Sequence, residues 1–199
     1  MSARPGPVSP PAGELWRIEV ALEGLEDTAD FAARLAARLG PGDLLVLTGG
    51  LGAGKTTFTQ SLGAALGVTG MISSPTFILS RIHRAESEGP DLVHVDAYRS
   101  DSAGLESLDL LSTMADAVTV VEWGRGVVES ALVGPDGSWL DLELLREDSS
   151  PRPDADSSDA SAEPEIITDF SETEADVMGS ARRAVLRGYG PAWAQPPTL

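Results

Sequence analysis

One stretch of the chain has residue types at a spacing suited to holding phosphate: Thr48-Gly49-Gly50-Leu51-Gly52-Ala53-Gly54-Lys55-Thr56-Thr57. It fits G-x-x-x-x-G-K-[ST], the phosphate-cradling P-loop. Backbone N–H groups of Gly50, Leu51, Gly52, Ala53 and Gly54 can turn inward, because glycines keep Cβ atoms out of the concavity. A helix starting near Lys55 adds the positive end of its dipole. Lys55 sets a point charge against the β- and γ-phosphates, the Thr56 hydroxyl is a Mg²⁺ ligand, and Thr57 completes the binding turn. Thirteen Arg and one Lys occur in the 199 residues, and that Lys is Lys55. An otherwise Arg-only chain has kept its one compact ammonium where a forked guanidinium fits poorly.

Two carboxylates stand where such a loop needs them. Asp91-Leu92-Val93-His94-Val95-Asp96 is apolar except at its ends and at His94, and reads as a strand delivering Asp96 at its tip. Val118-Thr119-Val120-Val121-Glu122-Trp123 is a second buried strand and delivers Glu122. Open α/β sheets bind ligands outside the carboxyl ends of their strands, so both acids are candidates for Mg²⁺ and for catalysis. Thr76, after Ser74-Pro75, is either a turn residue or a switch-like sensor of the γ-phosphate. Trp123 reads as a core or interface aromatic, and His94 as packed rather than catalytic.

Hydrophobic periodicity supplies the elements that position these groups. A strand over Leu15 to Leu22 puts Trp16, Ile18 and Val20 on one face. Asp27 or Thr28 caps a helix running through Leu39, with Phe31, Leu35 and Leu39 at i, i+4 and i+8, and Gly40-Pro41-Gly42 stops it. Asp43 to Thr48 is the buried strand entering the P-loop, and Thr56 to about Leu66 the helix leaving it. Further strands are expected over Phe77 to His83 and Trp139 to Leu145, and a helix over Leu105 to Met114. Arg182 to Arg187 alternates like an edge strand, where Arg182 and Arg183 could reach a nucleotide but arginines in solvent are commoner. The expected fold is α/β, a single P-loop NTPase-like domain whose mostly parallel or mixed central sheet is flanked by helices.

Composition divides the chain. Residues 1–13 hold four Pro and read as a disordered tail before an ATPase domain over 14–146. Residues 147–180 read as an acidic disordered insertion, because the stretch to Pro164 has no Val, Ile, Leu or aromatic to offset the entropy of ordering it. Residues 181–190 supply the last strand and 191–199 a loose tail. The net charge of −17 is concentrated in 147–176, where eleven acids and one Arg give −10, leaving −7 elsewhere. That charge offers no basic stripe for a nucleic-acid backbone. No Cys and only His83 and His94 argue against disulfides, thiolate or histidine metal centres and a Cys nucleophile. No apolar run is long enough to span a membrane and no signal pattern opens the chain, so a soluble cytoplasmic protein is expected.

Missing motifs narrow the nucleotide. An Asn-Lys-x-Asp guanine-reading motif is impossible with the only Lys in the P-loop, and no Asp-x-x-Gly follows Asp96, so ATP is preferred to GTP. No Arg-rich lid is evident, but a small-molecule kinase of the P-loop class stays open as the alternative to an accessory ATPase.

The blocks Gly49 to Phe58, Ser74-Pro75-Thr76-Phe77, His94-Val95-Asp96-Ala97-Tyr98-Arg99 and Val121-Glu122-Trp123, in this order and spacing, resemble the TsaE family. Its members are small bacterial ATPases of tRNA threonylcarbamoyladenosine (t6A) synthesis. The resemblance runs from about Glu26 to Arg125, with a weaker echo in Arg182 to Trp193. It implies an ATP- and Mg²⁺-dependent subunit that supports threonylcarbamoyl transfer to adenosine 37 of tRNA by TsaD- and TsaB-type partners, meeting tRNA only through that complex. Carried over by position, Lys55 and Thr56 bind phosphate and Mg²⁺, Glu122 is a second Mg²⁺ ligand, and Asp96 the Walker B-like aspartate. Thr76 is the switch-like threonine, and Thr28 lies near the nucleotide. Gly50 stands where the family often has Asp, and Gly124 where Pro often follows the Trp. The acidic insertion is foreign to the family pattern and obscures the alignment of Arg182 and Arg183.

Overall fold

The structure, a computed structural model, describes residues 8–75, 79–86, 89–98, 102–107, 110–134, 136–147 and 181–199. Seven strands form one sheet: β1 (Trp16–Leu22), β2 (Leu44–Thr48), β3 (Ser80–His83), β4 (Asp91–Asp96), β5 (Ala117–Glu122), β6 (Trp139–Arg146) and β7 (Arg182–Tyr189), in the spatial order β1-β7-β6-β2-β5-β4-β3. The four central strands β6, β2, β5 and β4 run parallel. Antiparallel β7 and β3 flank them, and β1 pairs antiparallel with β7. The mixed α/β sheet expected from the sequence is therefore present, with its mostly apolar strands β2 and β5 buried along their whole length.

Alternation along the strands feeds two cores. Leu45, Leu47, Leu92, Val120 and Leu142 face helices α1 (Leu25–Ala36) and α2 (Lys55–Ala65), whose Phe31 and Phe58 meet at 5.8 Å. Val46, Val93, Val95, Val121 and Trp139 face the short helices α3 (Ser102–Ser107) and α4 (Leu110–Met114) and Val128, which precedes a single π-helical turn at Glu129–Val133. Among the described residues no helix is long and apolar enough to cross a membrane.

Several boundaries differ from the sequence reading. Helix α1 starts at Leu25 behind Gly24 and ends at Ala36, not Leu39. Asp27 accepts the N–H of Glu23 at 2.9 Å from inside the first turn, and Thr28 Oγ1 donates back to the Gly24 carbonyl at 2.9 Å, so neither is the cap. The expected Leu105 to Met114 helix is the pair α3 and α4. The beginning of the expected Phe77 to His83 strand lies outside the described residues, as do the first seven residues and 148–180.

Strand β7 is not an edge. It lies between β1 and β6, which buries Arg182 and Arg187 at 6% exposure each and leaves Arg183 outside. Nor are 191–199 loose. A 3-10 turn over Pro191–Trp193 packs Trp193 into the α1/α2 core, where its carbonyl accepts Trp16 Nε1–H at 2.6 Å, and Arg38 Nε donates to the Thr198 carbonyl at 3.1 Å.

Candidate functional site

Strand β2 ends at Thr48 and α2 begins at Lys55, so the loop between them sits at the carboxyl end of the sheet. Two glycines make its path possible. Gly49 has φ 151° and a Cβ there would lie 2.5 Å from the Leu144 carbonyl oxygen; Gly54, at φ 95°, turns the chain into α2 in the left-handed region. Leu51 at the crest is 72% exposed, and a Cβ built at Gly50 would meet nothing within 4 Å.

Lys55 is 5% exposed and lies along the loop. Its Nζ donates to the carbonyls of Gly49 at 3.1 Å and Gly50 at 3.0 Å, and sits 3.8 Å over the Trp123 ring. Trp123, with φ 61°, is neither core nor free surface. It leaves β5 with its N–H on the Leu47 carbonyl at 2.9 Å, and its ring meets Tyr98 edge-on at 5.2 Å.

The two acids are neighbours in register, Asp96 on β4 opposite Glu122 on β5, and both are buried. They do different things. Glu122 reaches the P-loop helix: Thr56 Oγ1 donates to its Oε1 at 3.1 Å, and His94 Nε2 lies 2.9 Å from the same oxygen. Asp96 turns toward the segment before Pro75, accepting Ser74 Oγ–H at 3.2 Å and the Tyr98 N–H at 2.9 Å. Thr76 lies outside the described residues.

A cleft beside the loop is lined by Leu22, Leu25, Thr28, Gly54, Thr57 and Arg182. Thr28 thus stands next to the P-loop. Arg182 donates from Nε to the Ala53 carbonyl at 3.0 Å, and the Arg146 guanidinium lies so near Gly52 that a Cβ there would be 3.2 Å from its Nη1. Arg146 and Arg182 are register partners on β6 and β7, a juxtaposition hidden in the sequence by the acidic stretch between them.

Among the described residues no three His, Cys, Asp or Glu side chains gather as a metal cage. The donors beside the loop are oxygens, the Thr56 hydroxyl and the Glu122 carboxylate with Asp96 adjacent. That set fits Mg²⁺, which takes one or two carboxylates, phosphate oxygens and waters rather than an all-protein cage.

The family model for threonylcarbamoyl adenosine biosynthesis protein TsaE matches residues 22–153. The chain belongs to the TsaE family. It is 54% identical over 103 residues to the tRNA threonylcarbamoyladenosine biosynthesis protein TsaE of Streptomyces coelicolor, covering 50% of this chain and 69% of that one. With the TsaE of Mycobacterium tuberculosis (strain H37Rv) it shares 47% over 116 residues, 54% and 69% of the two chains. The crystal structure of Bacillus subtilis YdiB superposes with a TM-score of 0.56 at 26% identity over 88% of this chain and 87% of that one. TsaE membership places the chain in tRNA modification, in t6A biosynthesis, on a nucleotide-binding P-loop fold.

Proposed function

We propose that this TsaE-family chain is the ATP-hydrolysing, Mg²⁺-dependent subunit that supports threonylcarbamoyl transfer to adenosine 37 of tRNA by TsaD- and TsaB-type partners in the cytoplasm. The observation that carries the reading is the Thr56–Glu122 hydrogen bond at 3.1 Å, which joins the first turn of the P-loop helix to an acid at a strand tip. A P-loop hydroxyl and a strand-tip carboxylate side by side are the protein's share of a Mg²⁺·nucleotide site.

In this reading Gly50 to Gly54 present backbone N–H groups to the phosphates, Thr57 supports them from the first turn of α2, and the nucleotide lies near Thr28. Lys55 exchanges the Gly49 and Gly50 carbonyls for phosphate oxygens. Thr56 and Glu122 would hold Mg²⁺, with Asp96 adjacent, and the ion would supply positive charge beside the phosphates. Asp96 orients the attacking water, and Thr76 senses the γ-phosphate. Residues 14–146 and 181–199 carry this ATPase domain, since Trp193 packs in its core.

The charge supports an indirect relation to tRNA, since a chain of net charge −17 has no excess of cations with which to replace phosphate counterions. The test is a reconstituted t6A-forming system lacking only its ATPase subunit. Adding this chain should restore t6A formation and release phosphate from ATP, with turnover rising when the partner proteins are present. Phosphate transfer to a small-molecule acceptor in place of free phosphate would favour the kinase alternative.

A further inference from the structure

His94 is 0% exposed in the middle of β4, yet it is not merely filling. Its Nε2 lies 2.9 Å from Glu122 Oε1, while its Nδ1 is buried with no hydrogen-bond partner. A neutral imidazole has one proton to place. On Nδ1 it would be an orphaned buried donor, and Nε2 would turn a lone pair toward a carboxylate oxygen. On Nε2 the proton is shared with Glu122, and the unpartnered atom is only an acceptor, the less costly arrangement. The ring is held from its other sides by the sheet: Val120 is its register partner on β5, Arg81 on β3, and the His83 ring lies 6.3 Å away.

Glu122 is therefore gripped from two directions, by His94 on the adjacent strand and by Thr56 on α2. We propose that His94 is a positioning residue, donating Nε2–H to Oε1 of Glu122 so that the carboxylate stays aimed at the Thr56 hydroxyl and the Mg²⁺ it would share. This rests on the assignment of Thr56 and Glu122 to Mg²⁺. A side chain with three rotatable bonds loses that aim when one anchor is removed, and hydrogen-bond partners behind a metal ligand typically govern affinity by 10–100-fold.

The test uses the full-length chain and a fluorescent ADP analogue, titrated with and without Mg²⁺. Glutamine can place its amide N–H where Nε2–H lies; leucine fills the space and donates nothing. His94→Leu should raise the Mg²⁺ concentration needed for half-maximal enhancement by about tenfold or more and leave Mg²⁺-free nucleotide affinity near wild type. His94→Gln should return the Mg²⁺ requirement close to wild type. Should the leucine variant fail to fold, His94→Asn, whose amide reaches only as far as Nδ1, replaces it in the comparison. Equal Mg²⁺ requirements in the glutamine and leucine or asparagine variants would overturn the positioning role while wild-type Mg²⁺ dependence still upheld the site. A wild-type chain that binds the analogue with no Mg²⁺ dependence would overturn both.

Discussion

Arg125 meets Asp141 side-on inside the fold, Nε to Oδ1 at 3.1 Å and Nη2 to Oδ2 at 2.5 Å, with the two side chains 2% and 0% exposed. Arg187 adds Nη1 to the same Oδ2 at 3.1 Å, and Thr48 Oγ1 donates to Oδ1 at 3.4 Å. The pair thus ties the turn that follows Glu122 and Trp123 to β6, and both to the residue that opens the P-loop. Asp141→Ala would strip Arg125 and Arg187 of their fully buried carboxylate and leave both sharing Glu143. Breaking a buried pair from one side costs about 3–5 kcal/mol. For a domain of this size that lowers Tm by about 6–20 °C. A thermal melt within a degree or two of wild type would show that the network contributes nothing to stability.

Glu143 belongs to the same cluster and gives it a pH signature. Burial alone would raise its pKa, but the hydrogen bond and charge of Arg125, and then the charge and hydrogen bond of Arg187, outweigh burial and hold the carboxyl below its usual 4.5. A depressed carboxylate stabilises the fold above its unfolded pKa and loses that contribution as pH falls through the folded one. The Tm difference between wild type and Glu143→Gln should be full at pH 7 and close below about pH 4.5 as the wild-type carboxyl protonates. A gap that stays constant across this range would mean the charge of Glu143 is immaterial.

Lys55 touches loop carbonyls and one aromatic face, not the core. Lys55→Ala should keep the wild-type far-UV circular dichroism and lose ATP hydrolysis. Lys55→Arg should recover little, because a planar guanidinium does not fit a pocket shaped by two carbonyls about one ammonium. Wild-type turnover in either variant would rule out the P-loop role.

Glu122 and Asp96 should separate. Glu122→Gln disturbs the acid that touches Thr56 and should weaken Mg²⁺-dependent nucleotide binding or hydrolysis by about 2–4 kcal/mol. Asp96→Asn alters an acid held by Ser74 and the Tyr98 amide, and should spare binding while cutting turnover. Calorimetric nucleotide titration beside phosphate-release kinetics reads both quantities, and matching small losses in both variants would contradict the division.

Replacing residues 148–180 by a short Gly/Ser turn should leave Tm and nucleotide affinity nearly unchanged. The flanking strands are register partners to their ends, Arg146 opposite Arg182, and the Glu147 N–H meets the Ala181 carbonyl at 3.0 Å. A two-stranded ladder already holds those ends together, and loop length adds only slowly to closure entropy. A Tm loss of many degrees would mean that the segment packs on the domain.

What was legible in the sequence followed from local pattern. The bounds of β4 could be read to the residue, because a parallel strand buried on both faces is one apolar run with polar ends. The P-loop was legible because its backbone needs named residue types. The place of β7 was not: alternation in Arg182 to Arg187 fits an edge or an interior strand alike, and only pairing with β1 and β6 decides. His94 gripping Glu122 and Arg125 gripping Asp141 were hidden for the same reason. The first joins two strands and the second joins the turn after β5 to β6, and contacts between distant segments have no signature in either segment alone. The start of α1 was misplaced because Asp27 and Thr28 are cap-forming types that here bond backward from inside the helix.

The pairing of β1 with β7 also has a consequence for how the chain is made. Among the described strands β1 has its only sheet partner in β7, the last of them to be made, and Trp16 waits 177 residues for the carbonyl of Trp193. Until β7 is made, β6 likewise presents one bare ladder of amides and carbonyls. A nascent chain in that condition is open to pairing with its neighbours on the same message. While β7 is the only described strand still to come, the chain carries an excess of 20 acids, since residues 1–176 hold 31 acids against 11 bases and the three arginines of β7 are not yet made; like charge on adjacent nascent chains opposes their association during that interval.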